Sequence, residues 1–128
     1  MKSLTFTAVI GISEGYEKLS TIANEAMAIV GLEWQKEATE AFDMGLPFIT
    51  VTVSPAKVVY SQKWGCPKGG EAVCTVVGTS NPDFVKTEAD LDQWKKTAIE
   101  ITKKVKENLK QSTVFIDFKE NLETVYLK

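Results

Sequence analysis

Residues 49–80, "ITVTVSPAKVVYSQKWGCPKGGEAVCTVVGTS", decide the fold. Two β-rich runs flank "GCPKGGE" (Gly65–Glu71), whose glycine and proline density marks a loop. Adjacent β-rich runs around such a loop are most simply a hairpin. In the first run Phe48–Val53 reads as a strand with Ile49, Val51 and Val53 on one face. "SPAK" (Ser54–Lys57) reads as a turn and Val58–Trp64 as a further short strand. Ala72–Ser80 is the returning strand. The loop places Cys66 beside Trp64 and Pro67, so it is either a thiol site or a turn that happens to hold a cysteine.

Working outward, Leu4, Phe6, Ala8, Ile10 and Ile12 alternate with Thr5, Thr7 and Val9, which predicts a first strand with one strongly apolar face. A helix opens at Ser13, a candidate N-cap, and carries Leu19, Ile22, Ala23, Ala26, Met27 and Val30 on one stripe. Gly31 is placed to end or bend it; Trp34, Ala38, Ala41 and Phe42 form a second, shorter stripe closed by Gly45 and Pro47. Downstream, Thr87 and Asp90 occupy capping-box positions before a long stripe of Leu91, Trp94, Ala98, Ile101, Val105 and Leu109. The opposite face holds Lys95, Lys96, Lys103, Lys106 and Lys110 with Glu100 and Glu107 between them, a solvated surface. Ser112–Phe118 is a strand and Leu122–Lys128 a candidate last one.

The order β-α-(α)-β-β-β-α-β-β predicts an α+β domain spanning residues 1–128. It is built of ferredoxin-like β-α-β units, with a mixed sheet and two main helices on one face. The other face carries Val9, Phe48, Phe115 and either Val73 or Val77. Apolar groups there call for a covering subunit, so an oligomer is expected.

At 128 residues and 44% hydrophobic composition, one real core is within reach. The net charge of −2 makes no electrostatic case for nucleic acid or an anionic membrane. The chain has no histidine, which excludes His-based catalysis and His-ligated metals. All fifteen basic residues are lysines, so bidentate guanidinium clamps are excluded too. No signal peptide or membrane-length apolar run is present, and the cytoplasm is the expected compartment, with both cysteines reduced. Neither a cofactor nor a metal is expected.

In this setting Ile49–Ser80 resembles the middle of the tautomerase superfamily, its macrophage migration inhibitory factor branch especially. Residues 13–31 and 94–118 are similar to that family's two helices and the strand after the second. The resemblance implies a homotrimer with pockets between subunits, acting on a small-molecule carbonyl or enol substrate. It also implies catalysis from an amino-terminal proline. This chain departs there: it begins Met1–Lys2, and the first proline is Pro47. Residues 32–45 look like a helical insertion relative to the family. A second, lesser resemblance is to the CutA-type copper-tolerance trimers, which share a long central hairpin.

The resemblance selects Met1, Lys2 and Asp117 as catalytic candidates. Phe115, Tyr60 and Cys66 are the candidate substrate contacts. An α-amine titrates at about 7.7–8 and a lysine at about 10.4, so the Met1 amine lies nearer neutrality than Lys2. Asp117, between Ile116 and Phe118, would relay a proton if apolar neighbours raised its pKa. Cys74, mid-strand, reads as a small core residue. The expected function is tautomerase-like proton transfer. The alternative is a trimeric ligand-binding or scaffold protein that keeps the architecture without the proline.

Overall fold

Alternation along β1 (Ser3–Gly11) turns Phe6, Ala8 and Ile10 inward, and all three are buried. The computed structural model describes residues 3–11, 23–111 and 114–128. β1 is central in a four-stranded sheet of order β2-β3-β1-β4, formed with β2 (Thr52–Val58), β3 (Glu71–Thr79) and β4 (Ile116–Asn121). All three pairings are antiparallel, so the α+β class and ferredoxin-like order stand while the expected mixed sheet does not. Each helical crossover skips one strand position, and the skipped slot is filled by an antiparallel neighbour.

β2 runs straight through "SPAK", which had read as a turn; Pro55 pairs opposite Cys74. A proline inside a strand is tolerated because β2 is an edge, where one row of N–H groups faces away from the sheet. Phe48–Val51, expected in that strand, lies before it as irregular chain. The final segment 122–128 is likewise not a strand. The expected Ser13 cap lies outside the described residues.

Helix α1 spans Ala23–Asp43 and passes through Gly31, where a stop or bend was expected. A glycine inside a helix costs about 1 kcal/mol relative to alanine. The buried stripe of Ala26, Val30, Trp34 and Ala41 runs across it, and one large side chain buried contributes roughly 1.5–3 kcal/mol. The helix ends where Gly45 turns to φ +83°: its N–H donates to the Phe42 carbonyl, and the Leu46 N–H to that of Ala41.

α2 (Glu88–Asn108) begins with the expected capping box between Thr87 and Asp90. It buries Trp94, Ala98, Ile101 and Val105, the stripe read from the sequence. Both helices pack on the sheet face bearing Phe6, Ala8, Ile10, Cys74 and Val76. The opposite face presents Thr5, Thr7, Val9, Thr75, Val77, Asp117 and Lys119 in register. Phe48 is not on that face. Among the described residues no helix is long and apolar enough to cross a membrane.

Two outcomes follow from this packing. A Cβ on Gly78 would lie 2.7 Å from the Phe6 ring and 2.9 Å from the Thr50 carbonyl oxygen. Gly78→Ala is expected to lower stability by about 1–3 kcal/mol, read from urea unfolding. Backbone N–H groups of Lys86 and Thr87 hold the Asp90 carboxyl below its ordinary pKa. A depressed folded-state pKa means the contribution is present above the unfolded value and lost as pH falls through the folded one. The gap in urea midpoint between the parent and Asp90→Asn should be level from pH 8 to about 5 and shrink below about pH 4; a gap independent of pH down to 2 would contradict it.

Candidate functional site

The hairpin joining β2 to β3 is built to bring two side chains together at its base. Val58 and Glu71 are the last register pair of the ladder. Beyond it, Ser61 caps a short 3-10 turn (Gln62–Trp64), its hydroxyl accepting from the Lys63 N–H at 3.2 Å. Gly65 closes that turn at φ +97°. The chain returns through Gly70 at φ +99°, so close to the Val58 carbonyl that a Cβ would lie 2.8 Å from its oxygen. Only glycine fits there.

Inside the loop the Cys66 thiol is buried. Its Sγ accepts from the Tyr60 N–H at 3.5 Å and donates to the Pro67 carbonyl at 3.3 Å. The outcome is that the Tyr60 hydroxyl donates to a Glu71 Oε1. Among the described residues no lysine pairs with that carboxylate. Tyr60 is exposed, and Trp64, the last residue of the turn, stands 84% exposed.

A second feature lies at the other end of the hairpin. A cleft of about 1040 Å³ runs between the end of α1, the segment before β2, the end of β3 and the start of α2. Phe42 and Phe48 stack with ring centroids 4.2 Å apart, and Phe84 meets Phe48 edge-on at 6.0 Å. Trp94, Val77 and Leu46 line it further in, and Thr124 and Tyr126 reach it from the carboxy-terminal tail. That tail is tied back by a Lys128–Asp83 ion pair at 2.9 Å and by a Ser3–Thr124 hydroxyl contact.

Of the residues selected from the sequence, the structure joins Tyr60 and Cys66. Phe115 and Asp117 lie on the opposite edge of the sheet, three strand positions away, roughly 14 Å by strand spacing. Asp117 is exposed and faces Thr7 across the ladder, so the apolar surroundings expected for it are not there. Phe115 is 77% exposed. Met1 and Lys2 lie outside the described residues. Glu71 was missed because it read as the end of a glycine loop. Its partner is eleven positions upstream, and only the hairpin register reveals the pair.

Fold and site together define a ferredoxin-like α+β domain whose polar chemistry is a carboxylate held by a phenol at a hairpin base. The chain belongs to the SAM lyase family, whose model matches residues 1–128. A phage SAM lyase solved in complex with S-methyl-5'-thioadenosine has the same fold: TM-score 0.54 at 10% identity, over 92% of this chain and 81% of that one. A de novo designed protein, Foldit4, is a looser likeness, with TM-score 0.41 and 10% identity over 97% of this chain and 100% of that one. No curated protein gives a significant match.

Family membership overturns the tautomerase resemblance and, with it, the isomerase activity drawn from it. The carbonyl substrate falls on the same ground, since the phage lyase holds a thionucleoside. The homotrimer was inferred from the tautomerase resemblance and loses that support. The resemblance misled because the ferredoxin-like strand order hosts many chemistries, and its decisive residue, an amino-terminal proline, is absent here.

Both cysteines are free and buried, Cys74 at 0% and Cys66 at 5% exposure, and burial pushes the Cys74 thiol up. A thiol reagent is expected to label neither quickly in the folded protein and both in denaturant. Rapid native labelling of Cys66 would show that the loop does not hold it as described.

Proposed function

We propose that this chain cleaves S-adenosylmethionine without water, releasing S-methyl-5'-thioadenosine. The family match over the whole chain carries this reading. The substrate is a sulfonium with a good leaving group already in place. The bond from sulfur to the γ-carbon of the amino-acid half breaks, and its electron pair stays on sulfur as a neutral thioether. The simplest group to form the new bond is the substrate's own carboxylate, whose oxygen closes a five-membered lactone on the γ-carbon. No proton moves in that step, and no external nucleophile is consumed.

Such chemistry suits a chain with no histidine. The protein has to hold the substrate folded on itself and stabilise positive charge until the bond breaks. Glu71 is the carboxylate placed for that work. The Tyr60 hydroxyl aims it, and the Tyr60 ring offers a face to the cation. The aromatic cleft also offers ring faces to a cation, but its one carboxylate serves the α2 cap. Its wall carries one carboxylate, Asp90, whose Oδ2 already accepts from the Lys86 and Thr87 N–H groups.

The test is incubation with S-adenosylmethionine in H₂¹⁸O, with products followed by mass spectrometry. Thioadenosine release with no ¹⁸O on the γ-carbon is expected; label there would mean hydrolysis. Glu71→Gln should lower kcat by about 10²–10³, equivalent to roughly 3–4 kcal/mol of lost transition-state stabilisation. Tyr60→Phe should lower it less, about tenfold. Full activity in both variants would remove the hairpin pair from the reaction.

A further inference from the structure

One buried charge has no part in the chemistry described so far. Glu37 on α1 is only 6% exposed. Its Oε1 accepts from the Asn108 Nδ2 at 3.1 Å, whereas its Oε2, also buried, has no hydrogen-bond partner. A buried carboxylate oxygen is ordinarily hydrogen-bonded, paired with a cation or bound to a metal.

The surroundings favour a cation. Glu33 lies one turn earlier on the same helix, and an i, i+4 spacing brings the two side chains together. The Glu33 Oε2 accepts from the same Asn108 Nδ2, also at 3.1 Å. One amide nitrogen therefore gives a hydrogen to each of two carboxylates, whose like charges repel. Asn108 is the last residue of α2, so the negative end of that helix dipole adds to them. Against this stands Lys36, 3.5 Å from the Glu33 Oε2, with its side chain 54% exposed. Among the described residues no cation pairs with Glu37. The cluster holds more negative than positive charge, and its more buried carboxylate keeps an oxygen to spare.

We infer that Glu33, Glu37 and Asn108 form a binding site for a hydrated divalent cation of the magnesium–manganese class. Such hard ions take oxygen ligands, and magnesium-like ions keep several waters rather than demanding a closed protein cage. Two carboxylates from consecutive turns of α1 supply the charge. Among the described residues no third acidic, histidine or cysteine side chain joins them. The third protein oxygen is the Asn108 Oδ1, which takes the place of Nδ2 when the amide turns over. Glu33 is partly exposed and leaves an outward side for water. The ion gives the spare Glu37 oxygen a partner and fastens α1 to the end of α2. The inference does not depend on the reaction proposed above.

The test is titration of the full chain, first stripped of metal by a chelator, with MnCl₂, followed by calorimetry and by water-proton relaxation. One ion bound per chain and displaced by magnesium is expected, with binding weakened at least tenfold in Glu37→Gln. Asn108→Asp supplies a third carboxylate. It should bind the ion about tenfold more tightly, and its urea midpoint should fall in chelator and recover with MnCl₂. An amide that serves only as a hydrogen-bond bridge gives the fall without the recovery. Should Glu37→Gln fail to fold, the Asn108→Asp recovery decides the question. No binding at millimolar MnCl₂ overturns the inference. So does equal binding by the parent and folded Glu37→Gln, which would mean scattered surface carboxylates only, or an Asn108→Asp protein that the ion does not restore.

Discussion

The ring of Phe6 is the point on which the rest of the molecule is assembled. It lies on the central strand and is fully buried. It stacks on Trp34 of α1 at 5.7 Å, meets Trp94 of α2 at 5.7 Å and reaches Phe118 of β4 at 6.1 Å. Its cross-strand partner on β3 is Gly78, and the missing side chain there is the space the ring occupies. One aromatic ring thus ties two helices and three strands. The same absence lets the chain before β2 come down on the sheet, where the Thr50 carbonyl also approaches Gly78. The Trp34 indole N–H secures that segment by donating to the Ile49 carbonyl at 3.2 Å.

This rigid centre explains where chemistry can be placed. The core has apolar groups in contact on every side and a helical cover on one face. The hairpin base, by contrast, leaves the sheet at an edge strand and is shaped by turns and one buried thiol. Three positive-φ glycines there, Gly65, Gly69 and Gly70, let the backbone fold tightly without strain. The tight return is what sets Tyr60 against Glu71. The two ends of the same hairpin have different characters: one presents a carboxylate held by a phenol, the other an aromatic wall.

Composition narrowed the chemistry more than it identified it. Without histidine or arginine, the remaining polar groups were amines, carboxylates, hydroxyls and thiols. Tautomerisation needs a base poised near neutral pH, which an amino-terminal amine would offer. Breaking a sulfonium bond intramolecularly needs none, so the same inventory fits a different reaction. Periodicity and spacing place helices and strands and leave the chemistry open, because one fold hosts many activities.

The sequence alone determined what depends on neighbours along the chain. The alternation in β1, the capping box at Thr87 and Asp90, and the apolar stripe of α2 are local or short-range patterns, and each appears as read. So do the hairpin and the ferredoxin-like order. Readings failed where a residue's local preference yields to its place in the fold. Gly31 is carried through α1 by the buried stripe on either side, and Pro55 sits within a strand because that strand is an edge. Phe48 leaves the sheet to stack on Phe42. The site belongs to the same class: Tyr60 and Glu71 are eleven residues apart, and Phe42, Phe48 and Phe84 come from three separate segments. Tertiary structure alone decides such meetings, because strand register and helix packing, rather than the residues themselves, determine which distant side chains face one another.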